Sequence, residues 1–296
     1  MVKNKLTPKI SVVLNAYKRT DYLALQLDAI ENQTIKPHEI FVWQNAGGEI
    51  DKNLMHRFII ARCSENLGVW ARFAFALNVR ADYICIFDDD TIPGNRWFEN
   101  CLNTLKEYDG LLGTRGLRYH STKRYHPFEH YGWGNPNDET VQVDIVGHAW
   151  FFRREYLSFF WSEMPPIESN YIAGEDIHFS YMLQKFGIGT YVPPHPKNDK
   201  NLWGSLPEHG LKIGTDNNAI SSSQTALSRF DNALRYYTKN GFKLFRETNH
   251  EEKRVLVVGS GLRGNKKIRA LVNKNKVLKN FGKWLLKKIE KLGIYF

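Results

Sequence analysis

Over its first hundred residues the chain alternates short apolar runs with amphipathic stretches, and this alternation restricts the fold more than any other feature. Residues 10–14 read as a buried strand that ends at Asn15-Ala16-Tyr17. Asp21 is the expected cap of a helix that puts Leu23, Leu27 and Ile30 on one face. Residues 39–43 form a second expected strand, closed by Asn45-Ala46-Gly47-Gly48, and a third lies near 58–60. A helix through Trp70, Phe73, Ala74 and Leu77 follows. Tyr83-Ile84-Cys85-Ile86-Phe87 is the clearest buried strand; it delivers Asp88-Asp89-Asp90, and a helix is expected over 97–108. Such alternation implies an α/β fold with a mainly parallel sheet flanked by helices. Ligands of open parallel sheets bind beyond the carboxyl ends of the strands. Asn15, Asn45 and Asp88 to Asp90 are therefore expected along one edge.

Beyond Gly113 the texture changes. Residues 116–137 are rich in Tyr, His, Gly and Arg with little periodicity, and are expected to form a long functional excursion. A strand returns over 141–146, followed by Gly147-His148-Ala149-Trp150-Phe151-Phe152. Gly174-Glu175-Asp176 opens a helical run, 202–223 reads as a loop, and a last helix spans about 225–239.

Three adjacent carboxylates at the end of an apolar strand repel one another unless something binds them. A hard divalent cation is the natural partner, because Mg²⁺ and Mn²⁺ take oxygen ligands and bridge to phosphate oxygens. Strand alternation would point Asp88 and Asp90 one way, toward a donor and a metal, and turn Asp89 aside. A solvated acidic turn is the plainer alternative.

Charge is unevenly spread. The 296 residues carry a net charge of +10, but 262–296 holds eleven Lys and Arg against the single acid Glu290. The rest of the chain is neutral, with 30 basic and 30 acidic residues, which argues against a nucleic-acid-binding face. Within the tail, Val277, Phe281, Trp284, Leu285, Ile289 and Leu292 recur at helical spacing beside Lys279, Lys283, Lys287 and Lys291. This basic amphipathic pattern suits an anionic membrane surface, or docking on protein. The domain division expected is 1–250 for the catalytic body and 251–296 for the extension. Residues 255–264 fit G-x-G-x-x-G after an apolar run, but no second strand or distant acid completes a dinucleotide unit. Three cysteines without metal spacing, Cys63, Cys85 and Cys101, read as reduced thiols. With no visible signal or membrane span, a cytoplasmic protein, peripheral at the inner face of a membrane, is expected.

The ordered motifs resemble the GT-A class of nucleotide-sugar glycosyltransferases: residues 10–17, Asn66-Leu67-Gly68, Phe87-Asp88-Asp89-Asp90, Gly147-His148-Ala149-Trp150-Phe151 and Gly174-Glu175-Asp176-Ile177. The second half is similar to exostosin-type hexosaminyltransferases, through Met164-Pro165 and the Glu-Asp-Ile motif, with Gly174 where that family has Cys. This resemblance implies a UDP-sugar donor such as a UDP-hexosamine or other UDP-hexose, Mn²⁺ or Mg²⁺ at Asp90 and Asp88, and a glycan or lipid-linked acceptor of a cell-surface or capsular polysaccharide. It favours retention of anomeric configuration. Inverting bacterial transferases also carry a Glu-Asp pair here, so both outcomes stay open.

By the same resemblance Asn15, Ala16, Tyr17 and Arg19 would frame the uracil and ribose, with Asn45, Arg72, Asp88 and Asp89 as further donor contacts. Asp176 would be the catalytic carboxylate, with Glu175 beside it and Arg229 steadying the departing diphosphate. Trp133, His148 and Trp150 would line the acceptor sugar. His195, between prolines, is read as structural rather than as an added metal ligand. A sugar nucleotidyltransferase and a membrane-bound carbohydrate-binding module are the competing readings; the first lacks its glycine-rich phosphate loop, and the second leaves the carboxylates without a role.

Overall fold

The computed structural model describes residues 8–167, 172–213 and 224–248. The body of the chain is built on an eight-stranded sheet. Its first strands are β1 (Ile10–Ala16), β2 (Glu39–Asn45), β3 (Ile59–Cys63) and β4 (Tyr83–Phe87). They are followed by β5 (Gly110–Leu112), β6 (Arg115–Tyr119), β7 (Phe128–Gly132), β8 (Val141–Gln142), β9 (Ile145–Gly147), β10 (Ala149–Arg153) and β11 (Gly189–Val192). The main sheet runs in the order β3-β2-β1-β4-β10-β5-β11-β8, and a three-stranded sheet runs β7-β6-β9. Pairing is parallel from β3 through β4 and again between β5 and β11. Strand β10 runs antiparallel to β4 and β5.

Strand alternation sorts the core into two layers. Val12, Leu14, Cys85 and Phe87 pack on one face with Leu23, Leu27 and Ile30 of α1 (Leu23–Glu31). Val13, Ile84 and Ile86 pack on the other face with Phe73 of α2 (Ala71–Phe75). Trp97, Phe98 and Cys101 of α3 (Trp97–Thr104) join the first layer. The second takes Phe160 of α4 (Tyr156–Phe160) and Phe179 of α5 (Glu175–Lys185). Pro207–Ile213 forms α6, within a stretch expected to be a loop, and Gln224–Lys239 forms α7. A third cluster joins Ile177 and Met182 of α5 to Leu234 and Tyr237 of α7 under the small sheet. Residues from Met1 to Leu244 form one compact unit. Of the second, Phe245–Phe296, only α8 (Phe245–Thr248) is described. The expected amphipathic tail lies outside the described residues.

Several local expectations are corrected. Asp21 does not cap α1: Tyr22 occupies that position, and Asp21 sits in a preceding 3-10 turn. Residues 116–137 are not an irregular excursion, because β6 and β7 pair there as an antiparallel hairpin. The aromatic and histidine content had masked a two-residue period. The expected strand over 141–146 is split between the two sheets as β8 and β9. No described helix is long and apolar enough to cross a membrane.

Two buried histidines hold the body together as neutral groups. His195 donates from Nδ1 to the Pro193 carbonyl at 2.7 Å and accepts at Nε2 from Thr114 Oγ1 at 2.8 Å. His178 donates from Nε2 to the Phe160 carbonyl at 2.8 Å and accepts from Tyr237 at 3.1 Å. Burial depresses both to about 4. Their folded pKa lies below the unfolded value, so the unfolded chain binds more protons between about pH 6.5 and 4. Their contribution is complete above that window and is lost as pH falls through it, on the order of 3 kcal/mol for each histidine. Urea midpoints at pH 7, 5 and 4 check this. The His178→Gln variant should lose less stability over the window than the parent; equal losses would show that His178 is not responsible.

Candidate active site

The three parallel strands β1, β2 and β4 end on one edge, and their last residues open into a cavity of about 780 Å³. Asn15, Tyr17, Arg19, Asn45, Arg72, Asp88, Asp89, Asp90, Trp133, His148, Trp150, Glu175 and Asp176 all line it. Two predicted site residues do not: Ala16 is buried in the core, and Arg229 lies on α7 between Leu227 and Phe230, which do reach the cavity.

The acidic triplet stands in a turn, because β4 stops at Phe87 and the Thr91 amide donates back to the Asp88 carbonyl at 3.2 Å. Buried Gln26 of α1 fixes this turn by donating to the carbonyls of Asp88 and Thr91, both at 2.8 Å. Strand alternation therefore does not extend through the triplet. Asp89 also faces the cavity, where it accepts from Arg19 at 2.8 Å. Burial pushes Asp89 up to about 6, although Arg19 opposes the shift.

The antiparallel pairing of β10 with β4 sets Ala149 opposite Phe87, so His148 falls beside Asp88, whose amide donates to the His148 carbonyl at 3.0 Å. His148 takes a left-handed backbone (φ 68°), which is uncommon for a residue with a side chain. Its Nδ1 lies 3.6 Å from Asp90 and 3.7 Å from Asp88. One ligand atom from each of Asp88, Asp90 and His148 falls within 4.8 Å of the others. Two carboxylate oxygens and an imidazole nitrogen suit Mn²⁺ well and Mg²⁺ acceptably. Burial alone would lower His148 and raise Asp90, but their proximity reverses both shifts. His148 thus joins the acidic cluster while its ring also lies against Trp133, with centres 5.2 Å apart.

Arg72 crosses the site. Its guanidinium bonds to Asp88 on one side and to Glu175 at 2.9 Å on the other, over the face of Trp150 at 4.6 Å. Trp150 is therefore the wall behind Arg72. Gly174, at φ 97°, turns the chain into α5 so that Glu175 and Asp176 form its first turn. Burial drives both carboxyls above their ordinary range; the neighbouring Asp176 charge adds to the rise of Glu175, and backbone N–H groups oppose that of Asp176. The Ile177 amide donates to Asp176 Oδ1 at 2.7 Å, and no described Lys or Arg pairs with Asp176 directly.

At the other end, Asn45 anchors the 66–68 loop, donating to Asn66 Oδ1 at 2.8 Å and accepting from the Leu67 amide at 2.8 Å. The Gly48 amide donates to the Tyr17 carbonyl at 2.9 Å. Gly47, at φ 82°, passes so near that an added Cβ would lie 2.2 Å from that carbonyl. The Tyr17 loop is thus tied to β2 in a way that requires glycine.

Residues 11–161 match glycosyl transferase family 2. The chain belongs to that family. It is accordingly a glycosyltransferase, with the α/β architecture of the GT-A class. Solved structures similar to it include S. aureus TarS 1–349, at 14% identity and a TM-score of 0.46, covering 79% of this chain and 73% of that one. The mannosyltransferase PcManGT from Pyrobaculum calidifontis, in complex with GDP-Man and Mn²⁺, is 15% identical with a TM-score of 0.44, covering 91% and 84%.

The part of the cavity lining that the small sheet supplies was the least visible in sequence. Arg115, Leu117, Tyr125, His126, Phe128 and His130 come from the β6–β7 hairpin and its loop. Only the Tyr and His enrichment of 116–137 pointed to them, and Arg115 lies just outside that stretch. The exostosin-type likeness of the second half receives no support from the family match, which ends at residue 161.

Proposed function

We propose that this glycosyltransferase moves a hexose or hexosamine from a UDP-sugar to a hydroxyl of a glycan or lipid-linked acceptor. A divalent cation would be held by Asp88, Asp90 and His148. The observation that carries this reading is the convergence of those three ligands in the cavity that Asp176 also lines. Asn15, Tyr17 and the Asn45-anchored loop supply a polar nucleotide end. When bound, the cation neutralises diphosphate charge on the leaving group.

Asp176 is the general base. Its burial makes it more basic than an ordinary carboxylate, the charge of Arg72 opposing only part of the rise, and among the described residues no Lys or Arg hydrogen-bonds to it. The acceptor hydroxyl loses its proton to Asp176 as its oxygen bonds to the anomeric carbon, and the bond from that carbon to the diphosphate breaks. A single displacement of this kind inverts configuration. Inversion is favoured over the retention expected from the exostosin likeness, because a buried carboxylate, Asp176, lines the cavity where it can take the acceptor proton. Glu175, held by Arg72, acts as a positioning residue.

Calorimetry should show UDP binding in the presence of Mn²⁺ that weakens at least about tenfold in Asp90→Ala, as expected when a charge-neutralising ligand is removed. Equal UDP affinity in parent and variant with Mn²⁺ present would remove the metal from the reading. A panel of UDP-sugars, followed by product NMR, then identifies the sugar and the anomeric outcome.

The basic tail forms part of the proposal: its alternating Lys and apolar residues would hold the enzyme at the inner face of a membrane, close to a lipid-linked acceptor. The full chain should co-sediment with vesicles containing phosphatidylglycerol, and a chain ending at residue 250 should not. Equal sedimentation of the two would assign any membrane binding to the body.

A further inference from the structure

Among the described residues three arginines line the cavity, and they differ in one respect. Arg19 is paired with Asp89, and Arg72 with Asp88 and Glu175. Among the described residues no carboxylate pairs with Arg115. Its guanidinium instead lies 5.4 Å from the centre of the Trp133 ring. It is largely shielded from water, which holds its pKa below the usual arginine value. The cost of removing a cation from water is ordinarily offset by a buried counter-charge. Here no counter-charge stands among the described residues, and the cation faces a ligand cavity.

The backbone keeps that cation accessible. In the small sheet Arg115 stands opposite Gly132 on β7 and Gly147 on β9. Directly opposed residues share a face, so neither neighbour sets a side chain beside it. A Cβ at Gly147 would meet nothing within 4 Å. Around this gap the cavity is lined by Tyr125, His130 and Trp133. Aromatic faces of this kind stack well against sugar rings. His148, next along from Gly147, belongs to the acidic cluster and its ring centre lies 5.2 Å from that of Trp133, so Arg115 borders both that cluster and the aromatic wall.

We propose that Arg115 binds an anionic group, phosphate or carboxylate, on the acceptor, so that the preferred acceptor is an acidic glycan rather than a neutral one. This rests on the reading of the cavity as a glycosyltransferase site with its donor over Asp88 and Asp90. A guanidinium suits both anions, since its planar fork donates two parallel hydrogen bonds to two oxygens.

The test uses the full chain and two variants, Arg115→Gln and Arg115→Lys, with Trp fluorescence reporting titrations of glucose, glucose 6-phosphate and glucuronate. UDP with Mn²⁺ is titrated separately by calorimetry. The parent should bind one or both acidic sugars about tenfold or more tightly than glucose. Arg115→Gln should abolish that preference, Arg115→Lys should recover part of it, and UDP affinity should stay within about twofold. No preference for acidic sugars in the parent overturns the proposal. So does a preference that survives Arg115→Gln, which would leave Arg115 as packing for Trp133. A fall in UDP affinity with the acidic-sugar preference intact overturns it too, and moves Arg115 to the donor diphosphate. A parent that binds acidic sugars through Arg115 but binds no UDP would sink the donor assignment alone.

Discussion

Asp176→Asn is expected to lower kcat by about 100- to 10,000-fold, the usual contribution of a positioned general base. The substitution keeps the size of the side chain and its acceptor for the Ile177 amide, which holds Oδ1 at 2.7 Å. What it removes is the capacity to take a proton. UDP affinity should change by less than about threefold, because Asp176 is not one of the Asp88–Asp90–His148 ligand group. Transfer to acceptor and the binding of UDP are measured on the same preparation. A kcat within about fivefold of the parent would exclude Asp176 as the base. An equal loss in UDP affinity would instead make it part of the donor site.

The second large effect falls on stability. Arg72→Met should destabilise the fold by about 3–5 kcal/mol, the range for removing one partner of a buried charge network. Arg72 is almost fully buried and serves two carboxylates from different parts of the chain, Asp88 after β4 and Glu175 in α5. Without it, Glu175 loses its paired cation and becomes a buried acid whose charged form is further disfavoured. The double variant Arg72→Met, Glu175→Gln should recover part of the loss, since the uncompensated charge is then gone. Urea unfolding of parent, single and double variants gives the comparison. A single variant within about 1 kcal/mol of the parent would show that the bridge contributes little. No recovery in the double variant would place the cost in lost packing against Trp150 and Phe73.

How much of this could be seen in the sequence depended on the range of the interaction. Residues 10–14, 39–43 and 83–87 announced themselves as strands because apolar, β-branched runs have a local signature. The edge they share followed from a general rule of parallel sheets, and it brought Asn15, Asn45 and Asp88 together. Alternation failed one residue too far. It presumed that β4 continues through the triplet, whereas Gln26, sixty-two positions from Asp88, captures the backbone into a turn. The β6–β7 hairpin was missed because its alternating residues include Gly, Arg, His and Tyr, which give little contrast between faces.

By itself, the sequence determined the strand-and-helix order of the first hundred residues, the carboxylates at the end of β4 and the Glu-Asp start of α5. Each depends on neighbours within a few positions, where backbone period and side-chain type suffice. Tertiary structure alone decided that His148 joins Asp88 and Asp90, since that requires β10 to run antiparallel beside β4. It also decided that Arg72 closes the gap from Asp88 to Glu175, 103 positions apart along the chain in the second pairing. It set Arg115 between two glycines of adjacent strands, with no carboxylate paired to it among the described residues. Pairing partners across a sheet are chosen by the packing of the whole core, and no local pattern encodes which charge will meet which.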